Sequence, residues 1–174
     1  MVHIRDNAEE AVRKMLVEFS LKNGMKEVET VEEEEFMDDG TRIKLRLTID
    51  RSSRTAVFDF TGSGSEVYGN TNAPESITRS AIIYSLRSLI KSEIPLNSGC
   101  LRPVRIIVPP KSILSPSPGS AVVGGNVETS QRLVDVILKP FKFVAASQGT
   151  MNNFLFGTEK LSYYETIAGG SGAG

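Results

Sequence analysis

The chain has 174 residues, 40% of them apolar, with a formal net charge of −1 and one cysteine. A chain of this length can bury roughly 70% of the surface that its unfolded form exposes, so we expect one globular segment over residues 1–174. The small charge excludes a general attraction for nucleic acid or anionic lipid, and no apolar run approaches the roughly 18 residues of a membrane span. Because Cys100 cannot form an internal disulfide, the composition favours a cytoplasmic location.

The first segment predicts an amphipathic helix. In "DNAEEAVRKMLVEFSLKNG" the apolar residues recur at helical spacing. Asp6 is the expected N-cap, Glu9 is placed to close a capping box, and Gly24 is the expected stop.

Two alternating segments predict an antiparallel hairpin with one solvated side. "RIKLRLTI" and "TAVFDF", separated by the turn "DRSSR", each carry apolar residues at every second position. The acidic run Glu32–Glu35 before them could mark a cation site. A solvated strand edge or loop is the more frequent origin of such a run.

The second half predicts helices, short strands and one irregular loop. "SITRSAIIYSLRSLIKS" is a helix entered through Pro74 and Glu75 and largely buried, because its apolar residues cover more than half of the circumference. "RPVRIIVPP" is a short strand, and "SILSPSPGS" is a loop because of its prolines and glycine. A third helix closes near Pro140.

The C-terminal segment predicts a further helical turn or two in "KFVAASQG" and strands in "NNFLF" and "YYETIA". On such a strand Tyr163 and Tyr164 alternate faces, so we expect one in the core and the other at a cleft. The expected fold class is therefore α+β, with an antiparallel or mixed sheet and three or more packed helices.

The sequence lacks the motifs of several common active sites. His3 is the only histidine, so no His/Cys/carboxylate cluster has zinc spacing and no serine has a sequence-local catalytic histidine. "TGSGSEVYG" lacks the third glycine of the dinucleotide fingerprint, and "GSAVVGG" has no lysine after its glycines. We therefore expect no metal site and no ATP site in this chain, and Cys100 is expected to be a small buried thiol rather than a nucleophile.

The stretch "AVVGGNVETSQRLVDVIL" is the strongest candidate for a binding site. Its glycines allow another backbone or a ligand to approach closely, and the first amides of a helix suit a carboxylate or a phosphorylated intermediate. An anion would also favour Arg132 in the first turns. The alternative is that Asn126 or Thr129 caps the helix while Arg132 pairs with Glu128 or Asp135. The candidate substrate-binding residues here are Asn126, Thr129, Ser130, Gln131 and Arg132.

Two further polar clusters are weaker candidates. "GNTNAP" precedes a proline-led helix, where turn formation and N-capping explain at least one of its asparagines. "SQGTMNN" lies beside a glycine, and a satisfied buried network explains it as well as substrate contact does. The candidate substrate-binding residues of these clusters are Asn70, Asn72, Gln148, Asn152 and Asn153.

Five motifs resemble the hydantoinase B/oxoprolinase family, in the order in which they occur. They are "DFTGSGSEVYGNTNAP", "IPLNSGCLRPVRIIVPPKSILSPSP", "VVGGNVETSQRLVDVIL", "ASQGTMNNFLFG" and "YYETIAGGSGAG". The similarity covers nearly the whole chain, including "HIRDNAEEAVRKML". Five spaced motifs in order are far more specific than any one alone. Within the family, the chain is most similar to the corresponding part of the eukaryotic-type 5-oxoprolinase branch.

The resemblance implies part of an ATP-dependent cyclic amide hydrolase that converts 5-oxo-L-proline to L-glutamate. Since a five-membered lactam is a poor electrophile, the family is understood to phosphorylate the amide oxygen in a hydantoinase A-type domain or subunit and to complete hydrolysis in the B-type region. The implied ATP, divalent metal and catalytic residues belong to the parent enzyme outside this segment. The implied partners are the A-type domain, the cyclic amide and, in the full enzyme, further copies of itself.

Two alternatives stay open at this point. The chain could belong to the B subunit of an N-methylhydantoinase or related lactamase, because the motifs are largely shared. It could also be a structural and assembly module against which the ATP-using domain docks. In each case we expect a piece of a larger hydantoinase B-type domain, truncated at both ends and inactive by itself.

Overall fold

The structure is a computed structural model that describes residues 2–95, 97–146 and 150–169. Within these ranges it contains three α-helices, a mixed four-stranded sheet and a separate two-stranded hairpin, which confirms the α+β class. The helices are α1 (Val2–Lys22), α2 (Glu75–Leu89) and α3 (Thr129–Leu138). The strands are β1 (Val28–Phe36), β2 (Arg42–Asp50), β3 (Thr55–Asp59), β4 (Val104–Ile107), β5 (Asn153–Gly157) and β6 (Ser162–Thr166).

The predicted hairpin forms the centre of the main sheet, whose strand order is β1-β2-β3-β4. β2 pairs antiparallel with β3, with Leu47 opposite Phe58, as the alternation predicts. β3 pairs parallel with β4, which confirms the short strand in "RPVRIIVPP". The alternating apolar residues of both central strands are buried on one face, namely Ile43, Leu45, Leu47, Ile49, Ala56 and Phe58.

The acidic run lies in the edge strand β1, which confirms the solvated-edge interpretation. Glu32 accepts from Lys44 at 2.9 Å and from Arg46 at 3.0 Å across the outer face of the sheet. Glu35, on the opposite face of β1, pairs with Lys139 at 2.9 Å. These carboxylates therefore hold β1 in register against basic neighbours.

Helix α1 begins earlier than the sequence predicts. It starts at Val2, so Asp6 lies inside the helix and the predicted N-cap is wrong. Asp6 and Glu9 instead accept from Arg102 at 2.6 and 3.2 Å. This tertiary ion pair uses both carboxylates that the capping box needed. The predicted stop is confirmed, because Gly24 follows the helix with a φ of +63°, a conformation that glycine adopts without strain.

Helix α2 begins after Pro74 as predicted, but only one of its faces is buried. Ile82 and Leu86 enter the core, whereas the side chain of Tyr84 is 60% exposed. The prediction of a largely buried helix is therefore wrong within the described residues. α2 packs mainly against α3, and apolar residues on its other side, such as Ile83 and Tyr84, border open cavities.

The later predictions are confirmed in part. Residues 112–120 form no helix or strand, and α3 ends before a short 3₁₀ turn, Lys139–Phe141, that contains Pro140. Residues 142–146 are not helical, so that prediction is wrong for them, and residues 147–149 lie outside the described ranges. β5 and β6 are strands as expected, but both Tyr163 and Tyr164 are exposed, which contradicts the expected core position for one of them.

One apolar core joins α1, the inner face of the sheet, α2 and α3. Leu16, Phe58, Ile82 and Leu133 are fully buried in it. Cys100 is buried as predicted, and burial raises the pKa of its thiol. None of the helices in the described ranges combines the length and the apolar character that crossing a bilayer requires.

Candidate functional site

The glycine pair of the candidate stretch accommodates another backbone. Gly124 donates its amide to the carbonyl of Asn70 at 2.8 Å. A Cβ atom built on Gly125 would lie 2.2 Å from the carbonyl oxygen of Asn72, closer than real Cβ contacts occur. The sequence allows these glycines to admit either a ligand or a second backbone. The geometry shows the close approach of a second backbone.

Asn72 is fully buried at the centre of this contact. Its side-chain oxygen Oδ1 accepts from the amide of Val67 at 2.8 Å. Its side-chain amide donates to the carbonyl oxygens of Val67, Gly69 and Ala121 at 2.8, 3.1 and 3.0 Å. The side chain thus ties the loop before α2 to the loop before α3, which is the turn-forming role rather than an open contact for a ligand.

The beginning of α3 is held by tertiary contact and not by a cap. Glu128 occupies the N-cap position and makes no side-chain cap bond, so capping by Asn126 or Thr129 is wrong. The buried hydroxyl of Thr129 donates to the carbonyl of Thr71. The hydroxyl of Ser130 donates to the carbonyl of Asn126 at 2.6 Å.

Arg132 lies beside a carboxylate in a small polar cavity. Its guanidinium is 3.6 Å from the carboxylate of Asp135, which confirms the ion pair that the sequence allows. The cavity has a volume of about 300 Å³, and Thr150 donates to Glu128 at its wall at 2.9 Å. The residues lining it are Met37, Asp38, Asp39, Thr71, Glu128, Arg132 and Thr150.

The carboxylates around this cavity give it a mixed charge. Asp39 accepts from the amide of Thr41 at 2.8 Å, and this hydrogen bond lowers the pKa of its carboxyl. Asp38 and Glu128 line the same cavity as Arg132. The lining thus offers one guanidinium as a donor and three carboxylates as acceptors of hydrogen bonds.

The other candidates of α3 lie on a different surface. Asn126, Ser130 and Gln131 line a groove of about 510 Å³ between α2 and α3, together with Tyr84 and Val134. Arg132 lines the polar cavity instead. The helical rotation from one residue to the next thus divides the predicted cluster between two cavities.

The remaining candidates are dispersed. Asn70 is exposed in the loop before α2. Asn152 has a left-handed φ of +55° and its carbonyl accepts from the amide of Ile167 at 3.1 Å, and the side chain of Asn153 accepts from the hydroxyl of Tyr164 at 2.8 Å. Gln148 lies outside the described residues. The asparagines of "SQGTMNN" therefore contribute to the base of the hairpin, whereas Thr150 of the same motif lines the polar cavity.

The glycine-rich loop before α2 packs on the sheet. Gly64 donates its amide to the carbonyl of Arg42 at 2.7 Å, and a Cβ atom on it would lie 2.6 Å from the methyl group of Thr41. Among the described residues no group of three or more His, Cys, Asp or Glu side chains is arranged to hold a metal ion. The described residues therefore do not fit a divalent metal ion.

Sequence reasoning missed two groups of carboxylates. Glu66 accepts from the amide and hydroxyl of Ser117 at 2.5 and 2.9 Å, and the amide hydrogen bond lowers the pKa of Glu66. Asp38 and Asp39 reach the cavity of Arg132 from the turn after β1. The sequence signal that could have indicated Asp38 and Asp39 is the acidic pair before Gly40. In sequence this pair looks the same as that of an ordinary turn.

The sequence of the chain identifies the family of proteins to which it belongs. The family model described as hydantoinase B/oxoprolinase matches residues 1–174, and the chain belongs to that family. It is 63% identical over 174 residues to "5-oxoprolinase" of Dictyostelium discoideum. It is 53% identical over 181 residues to "5-oxoprolinase 1" of Arabidopsis thaliana, and 48% identical over 186 residues to "5-oxoprolinase" of Saccharomyces cerevisiae. Each comparison covers the whole of this chain but only 14% of the relative's length.

Proposed function

We propose that this chain is part of an ATP-dependent 5-oxoprolinase that hydrolyses 5-oxo-L-proline to L-glutamate. The observation that carries the proposal is the 63% identity to a relative named 5-oxoprolinase, with no part of this chain left uncovered. Relatives of the same name from a plant and a yeast support it. ATP and the divalent metal bind elsewhere in the longer polypeptide, a hydantoinase A-type domain is the partner, and the enzyme works in the cytosol.

The contribution of this chain to the reaction is substrate binding in the polar cavity. Arg132 binds the carboxylate of 5-oxoproline or glutamate, because a guanidinium and a carboxylate form strong charge-assisted hydrogen bonds. The cavity supports this role, since its volume of about 300 Å³ suits a ligand of few atoms and six of its seven lining residues are polar or charged. Gln131 lies in the separate groove between α2 and α3 and contacts the docked domain there.

The test uses the full-length polypeptide that carries this segment. Arg132→Ala is expected to lower kcat/KM for 5-oxoproline about tenfold to a hundredfold, because a charge-assisted hydrogen bond contributes roughly 1.5–3 kcal/mol. Gln131→Ala is expected to lower it less, since a neutral hydrogen bond contributes about 1 kcal/mol. Melting temperature and turnover are measured on the same preparations. Arg105→Ala, which removes an exposed arginine from β4, is the control.

A second candidate function is a purely structural module, and specific contacts favour it. Gly125, Asn72 and Thr129 all act in contacts between two loops of this chain. Under this alternative both Arg132→Ala and Gln131→Ala have wild-type kinetics per folded molecule. Turnover of N-methylhydantoin but not 5-oxoproline by the full-length wild-type protein would instead assign it to the hydantoinase branch.

A further inference from the structure

The hairpin of β5 and β6 differs from the rest of the structure in its exposure. Every residue of both strands is exposed. The main sheet, in contrast, buries the inner faces of its two central strands completely. The apolar core contains no residue of this hairpin among those that the structure describes.

One face of the hairpin is an ordered aromatic cluster. The rings of Phe156 and Tyr163, which lie opposite each other, stack with centroids 5.0 Å apart and planes 25° from parallel. Phe154 contacts both rings, with centroid distances of 5.6 and 6.3 Å. The three side chains remain 42–53% exposed, so their mutual contacts cover only part of their surface. The opposite face adds Leu155 and Tyr164, which are exposed to an even greater extent.

The composition of this hairpin is unlike that of the solvated surface of the same chain. The outer face of β1 and β2 carries ion pairs such as Glu32 with Lys44 and Arg46. In the two strands of the hairpin, Glu165 is the single charged residue. A two-stranded hairpin is marginally stable alone in water, and a contiguous apolar patch marks an interaction surface. The outer edges of β5 and β6 also leave backbone groups available for another strand, because their sheet has only two described strands.

We propose that the hairpin Asn153–Thr166 is the docking element by which this segment joins the rest of a hydantoinase B-type polypeptide. An extended apolar strand of that polypeptide pairs with an outer edge of the hairpin, and the cluster of Phe154, Phe156 and Tyr163 becomes part of a second core. The mode is β-augmentation, in which backbone hydrogen bonds give affinity and side-chain pockets give specificity.

The lengths of the relatives identify the occupant. In the relatives the matching segment is 14% of a much longer chain, so most of the polypeptide lies outside this segment. Covalent linkage gives that remainder a high effective concentration, which a second copy of the chain does not have. The inference uses only membership of the family and is independent of which amide the enzyme cleaves.

Hydrogen exchange on the full-length polypeptide tests the proposal. The amides of Phe154–Phe156 are expected to exchange at least about a hundredfold more slowly than the rates of an unstructured peptide of the same sequence, because docking leaves them buried and hydrogen-bonded. Leu45 and Leu47, in the centre of the main sheet, are the internal reference for protection. Exchange of the hairpin amides within tenfold of the unstructured rates would overturn the proposal.

A matched pair of variants tests the aromatic cluster in the same polypeptide. Phe156→Asp is expected to raise hairpin exchange at least tenfold and to lower the melting temperature, because it places a carboxylate in the second core. Tyr68→Asp changes an exposed aromatic residue outside the hairpin and is expected to alter neither. Equal effects of the two variants would contradict the proposal.

The competing occupant, a second copy of this chain, is distinguished by sedimentation of the 174-residue chain. The proposal is wrong if the chain forms dimers and its hairpin amides become protected from exchange as the dimers form, while the same amides stay unprotected in the full-length polypeptide. In that case the hairpin is a dimer contact. Exchange does not depend on catalysis, so failure of this proposal and failure of the 5-oxoprolinase assignment are separate results.

Discussion

At the scale of single residues, the motif "VVGGNVETSQR" acts mainly through contacts with the loop before α2. Gly125 approaches Asn72, Gly124 donates to Asn70, and Thr129 donates to Thr71. These contacts explain why two glycines and a threonine are needed within a few residues, without any ligand. Arg132 is different, because its side chain lines a cavity as well as pairing with Asp135.

Gly125→Ala is expected to destabilise the chain by about 1–3 kcal/mol, because its Cβ would overlap the backbone of the neighbouring loop. The nearest atom, the carbonyl oxygen of Asn72, would be 2.2 Å away and belongs to backbone that cannot rotate aside. Gly69→Ala is the control, since nothing lies within 4 Å of its added Cβ. Urea unfolding of both variants measures the difference. Equal midpoints would show that the loop contact is looser than described.

Asn72→Ala is expected to lower the free energy of unfolding by roughly 2–4 kcal/mol, because it removes from a buried site one accepted hydrogen bond and two N–H donors shared among three carbonyl oxygens, each hydrogen bond contributing about 1 kcal/mol. Asn70→Ala, in the same loop but exposed, is expected to change stability by less than about 0.5 kcal/mol. Thermal unfolding of both variants provides the comparison. A larger effect at Asn70 than at Asn72 would contradict the structural role of the buried side chain.

At the scale of elements, the two sides of the β1–β2 pair show how different forces act on one sheet. The inner side of β2 is an apolar row whose residues are almost completely buried. On the outer side, Glu32 and Glu34 of β1 lie opposite Arg46 and Lys44 of β2, so that opposite charges meet across the strands. Burial therefore provides most of the stabilisation, and the exposed ion pairs mainly select the register.

The turn between β2 and β3 predicts an acid-dependent contribution to stability. Asp50 accepts from the amide and hydroxyl of Ser52 at 2.9 and 2.6 Å and from the amide of Ser53 at 3.2 Å. These bonds, the one from the Ser52 side chain foremost, lower the pKa of Asp50 to about 2. Since the pKa is lower in the folded state than the usual value of about 3.9, the contribution is complete above about pH 4 and is lost as the pH falls through about 2.

The corresponding test is Asp50→Asn, measured by thermal unfolding from pH 6 to pH 2. The melting temperature of the variant is expected to lie below that of the wild type above pH 4, because the ionised acceptor is missing. The difference should narrow as the pH approaches 2, where the wild-type carboxyl becomes protonated. A difference that stays constant over this range would show that the charge of Asp50 does not stabilise the turn.

At the scale of the whole molecule, the described residues comprise a core and an exposed hairpin. α1, the main sheet, α2 and α3 share one apolar cluster, whereas β5 and β6 contribute nothing to it. The polar cavity of Arg132 lies where the turn after β1 meets α3 and Thr150. The cavity is therefore bordered by the core and by the segment that leads to the hairpin. We expect docking of the hairpin to change the position of that segment in the cavity wall.

The 174-residue chain alone is expected neither to release phosphate from ATP nor to open 5-oxoproline. Its sequence has one histidine, His3, and no phosphate-binding loop motif, and under the proposed function the amide is activated elsewhere in the longer polypeptide. Phosphate release and glutamate formation are measured against a protein-free blank, with the full-length polypeptide as the positive control. Turnover of either substrate by the chain above the blank would contradict the division of labour proposed above.

The sequence by itself determined the central elements and the family. Strict alternation over residues 43–49 predicts β2 because a strand with one buried face must repeat every two residues, and helical spacing likewise predicts most of α1 and α3. Five ordered motifs were sufficient to predict the family, which the match over residues 1–174 confirms. These features depend on local periodicity or on motif order, and both can be read along one chain.

The tertiary structure alone decided how polar residues are used. Asp6 is a residue type that often caps helices. Its carboxylate instead accepts a hydrogen bond from Arg102, which is distant in sequence. Gln131 and Arg132 are adjacent in sequence, yet they line different cavities because each helical residue is rotated by about 100° from the last. Asp38 and Asp39 join Arg132 only because the turn after β1 folds against α3. The role of each of these polar side chains depends on partners that are distant in sequence, and no local sequence pattern specifies those partners.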